Sequence, residues 1–265
     1  MTETTMTFAR PHSVRSRVVG LVVAAALIAL FVHAWQDTQV SISALFSGFH
    51  NTVNLLQRAV PPSGSVLSDS IRASILTFDT ALLGTAVAIV FSLLLVPFAA
   101  RNISPHRLAY EGARLIIGVT RAIPDFVFAL IFLVAVGLGP FSVVLAIAAH
   151  TVGVLGKLFS EAVEDMDMGP VDALRVAGAS RTQVFVHAIL SGIAATFTGL
   201  ALYRLDTNVR SVLYLGAIGG GGLGFLLYDS LQLFQYQQAT TELAVLLVLL
   251  LVVERASLLI RQRIL

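Results

Sequence analysis

Cysteine is absent from the 265 residues, which excludes disulfides, thiolate metal sites and thiol nucleophiles. Charge is scarce: Asp, Glu, Lys and Arg make up 12% of the chain, about half of what a soluble domain carries. No Gly-Lys-Ser/Thr phosphate loop occurs, so the chain is not expected to hydrolyse ATP itself. The six histidines, His12, His33, His50, His106, His150 and His187, have no metal-ligand spacing, so neither a metal nor a catalytic residue is expected. His150 and His187 fall inside apolar runs and read as hydrogen-bonded packing residues. A net charge of +2 is too small to imply a nucleic-acid partner.

What is present is apolar surface. Hydrophobic residues make up 57% of the chain and the mean hydropathy is +0.87, so length converts into membrane crossings at roughly 20 residues each. The pattern predicts an all-α polytopic protein of about six spans. The first is Val18 to Trp35, after Arg10, Arg15 and Arg17; with Val32-His33-Ala34 it also resembles a cleavable signal peptide, but an uncleaved helix agrees better with the charge distribution. Residues 36 to 75, broken at Pro61-Pro62-Ser63-Gly64, read as an external loop or surface-lying segment, so residues 1–70 would hold one helix and this segment, with the main domain over 71–265. The further spans are Leu76 to Ala100, about 115 to 136 and 141 to 158 around a Gly137-Leu138-Gly139-Pro140 turn, near 184 to 203, and near 239 to 258. Gly219-x-Gly221-x-x-Gly224 matches a dinucleotide fingerprint in form, but without a strand before it this is a chance match.

Basic residues orient the chain. With the amino terminus inside, Arg10, Arg15, Arg17, Arg101, Arg107, Arg114, Lys157, Arg175, Arg181, Arg255, Arg261 and Arg263 fall on the cytoplasmic side. Arg58, Arg72, Arg121, Arg204 and Arg210 are external or within the membrane. The bias predicts six spans with both termini and the 159 to 183 loop in the cytoplasm. It also makes the Gly-rich segment 211 to 228, with "GAIGGGGLG", a re-entrant or external hairpin shielded by protein.

The 159 to 183 loop has its own grammar. Pro170 suits the first turn of a short helix, Gly178 the left-handed residue that ends it, and Ser180 with Gln183 a capping box opening a new helix that runs straight into the fifth span. Val171, Leu174 and Ala177 give the short helix an apolar edge expected to face the cytosol and a partner. The acidic run Glu161, Glu164, Asp165 and Asp167 reads as solvated, or as paired with basic groups on a partner.

"DALRVAGASRTQVFVHAIL" resembles the cytoplasmic loop signature of ATP-binding cassette (ABC) importer permeases, with Asp172, Ala173, Gly178 and Leu190 in the matching places. The departures are Asp172 for Glu, Leu174 for a second Ala, Ala188 for Ile, and Ser191 for Pro. "PFAARN", "RAIPDFVFALIF", "EAVEDMDMGPVDALRVAGASR" and "ALYRLDTNVRSVLYLGAIGGGGLG", spread over 97 to 224, are similar to the phosphonate importer permeases. The resemblance implies a type I importer permease fold, with Asp172, Ala173, Leu174, Arg175, Gly178, Ala179, Ser180 and Arg181 as the loop coupled to the ATPase. It also implies a bacterial inner membrane and the partners: a cytoplasmic ABC ATPase dimer carrying ATP and Mg, an extracytoplasmic substrate-binding protein, and a second permease subunit forming a homo- or heterodimer in membrane lipid.

Charges at membrane depth are costly, roughly 2.5 to 3.5 kcal/mol each at a helix centre, and usually face a cavity or a partner. Arg121 and Asp125 are read four apart on one face of the third span, around Pro124; Arg204, Asp206, Asn208 and Arg210 are read just after the fifth. All six are candidates for the path of a phosphonate, phosphate or phosphite, because Arg can grip phosphorus oxygens with two parallel hydrogen bonds. Two other classes compete: an intramembrane lipid-modifying enzyme using Asp125 and His150, and a helix-turn-helix reader over 170 to 190, which lacks a basic surface.

Overall fold

The structure is a computed structural model describing residues 14–264; Arg10 and His12 fall outside that range. The residues up to Leu56 form one compact unit and those from Gln57 a second. In the first, α1 (Val14–Asp37) is long and apolar enough to cross a membrane. Helix α2 (Ile42–Ala59) occupies much of the stretch expected as a loop or surface segment.

The second unit opens with α3 (Leu67–Ala99), 33 residues long and starting well before the expected Leu76. Its polar first half remains helical because the hydroxyls bond back onto the helix itself. Ser70 donates to the Val66 carbonyl at 2.8 Å, Thr77 to Ala73 at 2.9 Å and Thr80 to Leu76 at 2.7 Å. Further along, Ala81, Thr85, Ala88 and Ser92 form a buried stripe of small residues where α3 packs closely on α6 (Pro140–Glu164).

Between these two lies the first correction. The third span is not one helix but two, α4 (Arg107–Ala122) and α5 (Asp125–Val136), meeting at 89°. Pro124 stands before the first turn of α5, where its missing N–H costs nothing, rather than inside a helix. After α6 come α7 (Gly169–Val176) and α8 (Arg181–Val184), which continues as a π-helical turn over Phe185–Leu190. The chain then bends by 72° into α9 (Ala194–Leu215), so the loop helix does not run straight into the fifth span. Ser191 donates to the Val186 carbonyl five residues back at 3.1 Å, and this wide π spacing followed by Gly192 accounts for the bend.

The Gly-rich segment is a hairpin. Gly219, Gly221 and Gly222 all take positive φ, and α10 (Gly222–Gln232) returns along the bundle. Its 11 residues span about 16 Å, short of a roughly 30 Å hydrocarbon core. Protein shields its backbone: Gly139 N–H donates to the Gly219 carbonyl at 3.0 Å and Leu223 N–H to the buried Thr77 hydroxyl at 2.9 Å. Helix α11 (Tyr236–Ile264) closes the chain. Four helices are long and apolar enough to span, and the two bent pairs raise the number to six. No strand occurs among the described residues, so the dinucleotide fingerprint lacks its fold.

Candidate functional site

The loop between α6 and α9 is built from local caps. Asp167 accepts from Gly169 N–H at 3.0 Å as α7 begins. At the other end Gly178, with φ of 83°, turns the chain so that its N–H reaches Arg175 O and the Ala179 N–H reaches Leu174 O, each at 3.0 Å. These two bonds form a Schellman motif. Ser180 and Gln183 then cap reciprocally, Gln183 N–H to Ser180 Oγ at 3.3 Å and Ser180 N–H to Gln183 Oε1 at 2.8 Å. Asp172 and Arg175 pair along α7 at 3.3 Å.

The exposed edge of α7 differs from expectation. Val171 is fully buried beside Val96, Phe159, Val163 and Val184, with Leu174 packed against the same cluster. The residues facing outward are Ala173, Val176 and Ala177, Val176 being 90% exposed. Of the expected edge, Val171 and Leu174 instead hold α7 on the bundle and only Ala177 is exposed.

The acidic run is engaged largely within the chain. Glu164 accepts from Arg114 at 2.6 Å and from the Arg101 N–H at 2.7 Å, while Glu161 pairs with Lys157 at 3.3 Å. Arg114 also donates to Ala99 O at 2.8 Å, and the Asn102 amide donates to Val163 O at 2.8 Å, satisfying a carbonyl in the last turn of α6. The "PFAARN" segment is thereby clamped onto the end of α6 next to α7. The sequence places Glu164 in a solvated or partner-facing acidic run and Arg114 among the cytoplasmic basic residues; their pairing, and the role of Asn102, are not legible there because the partners lie far apart along the chain.

A second polar centre lies inside the bundle. Arg204, 7% exposed, donates through Nη2 to Thr151 at 3.1 Å and to the Asn208 side-chain oxygen at 3.0 Å. Asn208 in turn donates to Thr85 at 2.8 Å. All four side chains are buried. Arg204 makes no ion pair among the described residues, and its Nε has no hydrogen-bond partner. Sequence position could not reveal Thr85 and Thr151; the available signal was a hydroxyl inside an otherwise apolar span.

The expected grouping of six splits apart. Arg204, Asp206, Asn208 and Arg210 lie within α9 rather than after the fifth span. Arg204 and Asn208 share the buried face. Asp206 pairs with Arg210 at 3.2 Å, and Arg210 reaches Glu254 of α11 at 3.9 Å. Asp125 joins the buried face indirectly: it accepts from the Tyr214 hydroxyl, whose oxygen lies 3.0 Å from the hydroxyl of Ser211, one turn beyond Asn208, and accepts from it. Arg121 ends α4, across the bend from Asp125, and the two do not pair. His150 Nδ1 lies 3.0 Å from the Ile123 carbonyl, so it packs against the bend as a donor. Asp125 and His150 thus have separate partners. The loop offers no recognition helix either, since α8 is 4 residues long and leads into a π turn.

Four helices long and apolar enough to span, two bent pairs that bring the number to six if each is one span, a Gly-rich hairpin and a capped helix between two apolar segments define a polytopic helical membrane protein of the permease kind. The chain belongs to the binding-protein-dependent transport system inner membrane component family, whose model matches residues 97–265. It is 38% identical over 223 residues to the phosphite transport system permease protein PtxC of Stutzerimonas stutzeri, covering 84% of this chain and 81% of that one. It is 38% identical over 237 residues to the phosphate-import permease protein PhnE of Mycolicibacterium smegmatis, covering 88% of this chain and 44% of that longer one. In fold it matches the inward-facing MetNI methionine ABC transporter with a TM-score of 0.65 at 20% identity, over 77% of this chain and 99% of that one. It is a transport subunit of the inner membrane rather than an enzyme. The family implies a separate ATPase and a binding protein as its partners.

Proposed function

We propose that this chain is the membrane-spanning subunit of an ATP-driven importer that moves a phosphonate, phosphate or phosphite inward from an extracytoplasmic binding protein. The observation that carries the reading is Arg204: a cation buried among α3, α6 and α9, held by Thr151 and Asn208 and in direct contact with no carboxylate among the described residues. A desolvated guanidinium with a free donor favours a tetrahedral oxyanion. The names of the relatives, phosphite and phosphate importers, support the same substrate class.

Both termini and the loop of α7 face the cytoplasm in this reading, as the basic residues favour. Asp206, Arg210 and Glu254 form a charged patch with Arg210 and Glu254 about half exposed. Exposed charge at membrane depth requires water or protein rather than lipid, so this face of α9 and α11 meets the second permease subunit and lines the path. Asp125 and Tyr214 stand along it, and Arg121 lies at the bend beside them.

On the cytoplasmic side, α7 docks into an ABC ATPase dimer that holds ATP and Mg. Asp172, Ala173, Leu174, Arg175, Gly178, Ala179, Ser180 and Arg181 form the coupling element. Both ends of the short helix are capped, so it moves as a stiff body and passes a push into α8 and the bend before α9.

The test is ATPase activity of the assembly in lipid, with its ATPase and binding protein, scanned against phosphonates, phosphite, phosphate and unrelated anions. Stimulation by a phosphorus oxyanion supports the reading. Stimulation only by another solute class overturns the substrate assignment and leaves the family untouched.

A further inference from the structure

A groove of about 540 Å³ lies between the end of α3 and the α7–α8 turn. Its chemistry is divided. One wall is apolar, with Phe98, Phe185 and Ile189; the other carries Asn102, Arg175 and Arg181. The apolar wall continues onto open surface, where Phe98 is 45% and Val186 43% exposed. Arg175 is shared with Asp172 at 3.3 Å, whereas Arg181 makes no ion pair among the described residues. The buried Asn102 side-chain oxygen accepts no hydrogen bond, although the amide is fixed by donating to Val163 O and to the Met168 sulfur.

We propose that this groove seats an anionic phospholipid, of phosphatidylglycerol chemistry. The phosphate meets Arg181 and the outer edge of Arg175, and the acyl chains run along Phe98 and Phe185 into the bilayer. Both parts of this amphiphile meet a group that is otherwise unmatched: a cation with no ion pair among the described residues and exposed aromatic surface. A soluble phosphate would satisfy the arginine but leave the apolar wall wet. An ATPase segment covering the groove is an outcome the test separates. The inference rests on the proposed coupling role of the α7–α8 loop and not on the identity of the carried solute.

Because the groove is bounded by the turn that follows α7, the lipid acts as a wedge behind the coupling element. Its presence sets how far α7 and α8 can move against the end of α3.

The test uses the permease co-purified with its ATPase and reconstituted in nanodiscs of phosphatidylcholine with graded phosphatidylglycerol. Lipid retained through a detergent wash is then quantified by mass spectrometry. Wild type is expected to retain about one phosphatidylglycerol per permease chain. Arg181→Gln should lose it several-fold, Arg181→Lys should recover much of it, and Arg107→Gln, outside the groove, should behave as wild type. Equal retention in wild type and Arg181→Gln, or equal retention of phosphatidylcholine, overturns the proposal. So does an Arg181→Gln variant that loses its ATPase while keeping its lipid, because the groove then belongs to the protein partner.

Discussion

Arg204 donates to Asn208 one turn further along α9 at 3.0 Å, and neither side chain bonds a carboxylate among the described residues. Arg204→Gln removes the charge while keeping a donor. It is expected to raise the substrate concentration for half-maximal ATPase stimulation about 10- to 100-fold, the equivalent of one charge-assisted hydrogen bond of about 1.5–3 kcal/mol. Basal ATPase activity and thermal unfolding of the assembly, followed in parallel, distinguish a lost contact from a lost fold.

Gly178 sits where a side chain is strained. Gly178→Ala is expected to cost roughly 1–2 kcal/mol, and Gly178→Pro also removes the N–H that reaches Arg175 O. Uptake should fall to background for Gly178→Pro while membrane insertion stays normal, so that ATP is hydrolysed without transport. Unchanged uptake sinks the coupling role of the loop.

The two faces of α7 give opposite results. Val171→Ala opens a cavity in the cluster with Phe159 and Val184 and is expected to lower stability by roughly 1 kcal/mol or more without changing the outward face. Val176→Glu places a charge on the 90% exposed edge. It should leave the melting temperature alone and abolish co-purification of the ATPase.

Glu164 holds the α3–α4 connection to the end of α6 through Arg114 and the Arg101 N–H. Glu164→Gln loses the charge at both contacts and is expected to cost roughly 1–3 kcal/mol, measured by thermal unfolding in detergent. Because this clamp lies beside α7, the loss should also raise ATP hydrolysis in the absence of substrate.

The caps of the loop were legible because they are local: Pro170, Gly178, Ser180 and Gln183 act on neighbours within a few residues. The apolar runs were legible as helices, four of them long enough to span singly and two more as bent pairs. The bend at Pro124 was missed because periodicity alone cannot tell a proline inside a helix from one that starts it. The bend at Ser191–Ile193 was missed because π spacing leaves no compositional trace beyond Ser191 and Gly192. The extent of α9 was read too short, since Arg204, Asp206 and Arg210 break an apolar window without breaking a helix whose polar face is packed or paired. Thr85, Thr151, Glu164 and Arg114 act only through residues distant in sequence, so their roles emerge in the folded bundle alone.

The most direct test is uptake of labelled phosphite, phosphate and a simple phosphonate into proteoliposomes holding the permease, its ATPase and its binding protein. The account predicts accumulation against a gradient that requires ATP on the side of α7, is competed by other phosphorus oxyanions, and needs about 10- to 100-fold more substrate in Arg204→Gln. Accumulation independent of ATP, or confined to a solute that carries no phosphorus oxyanion, would contradict it.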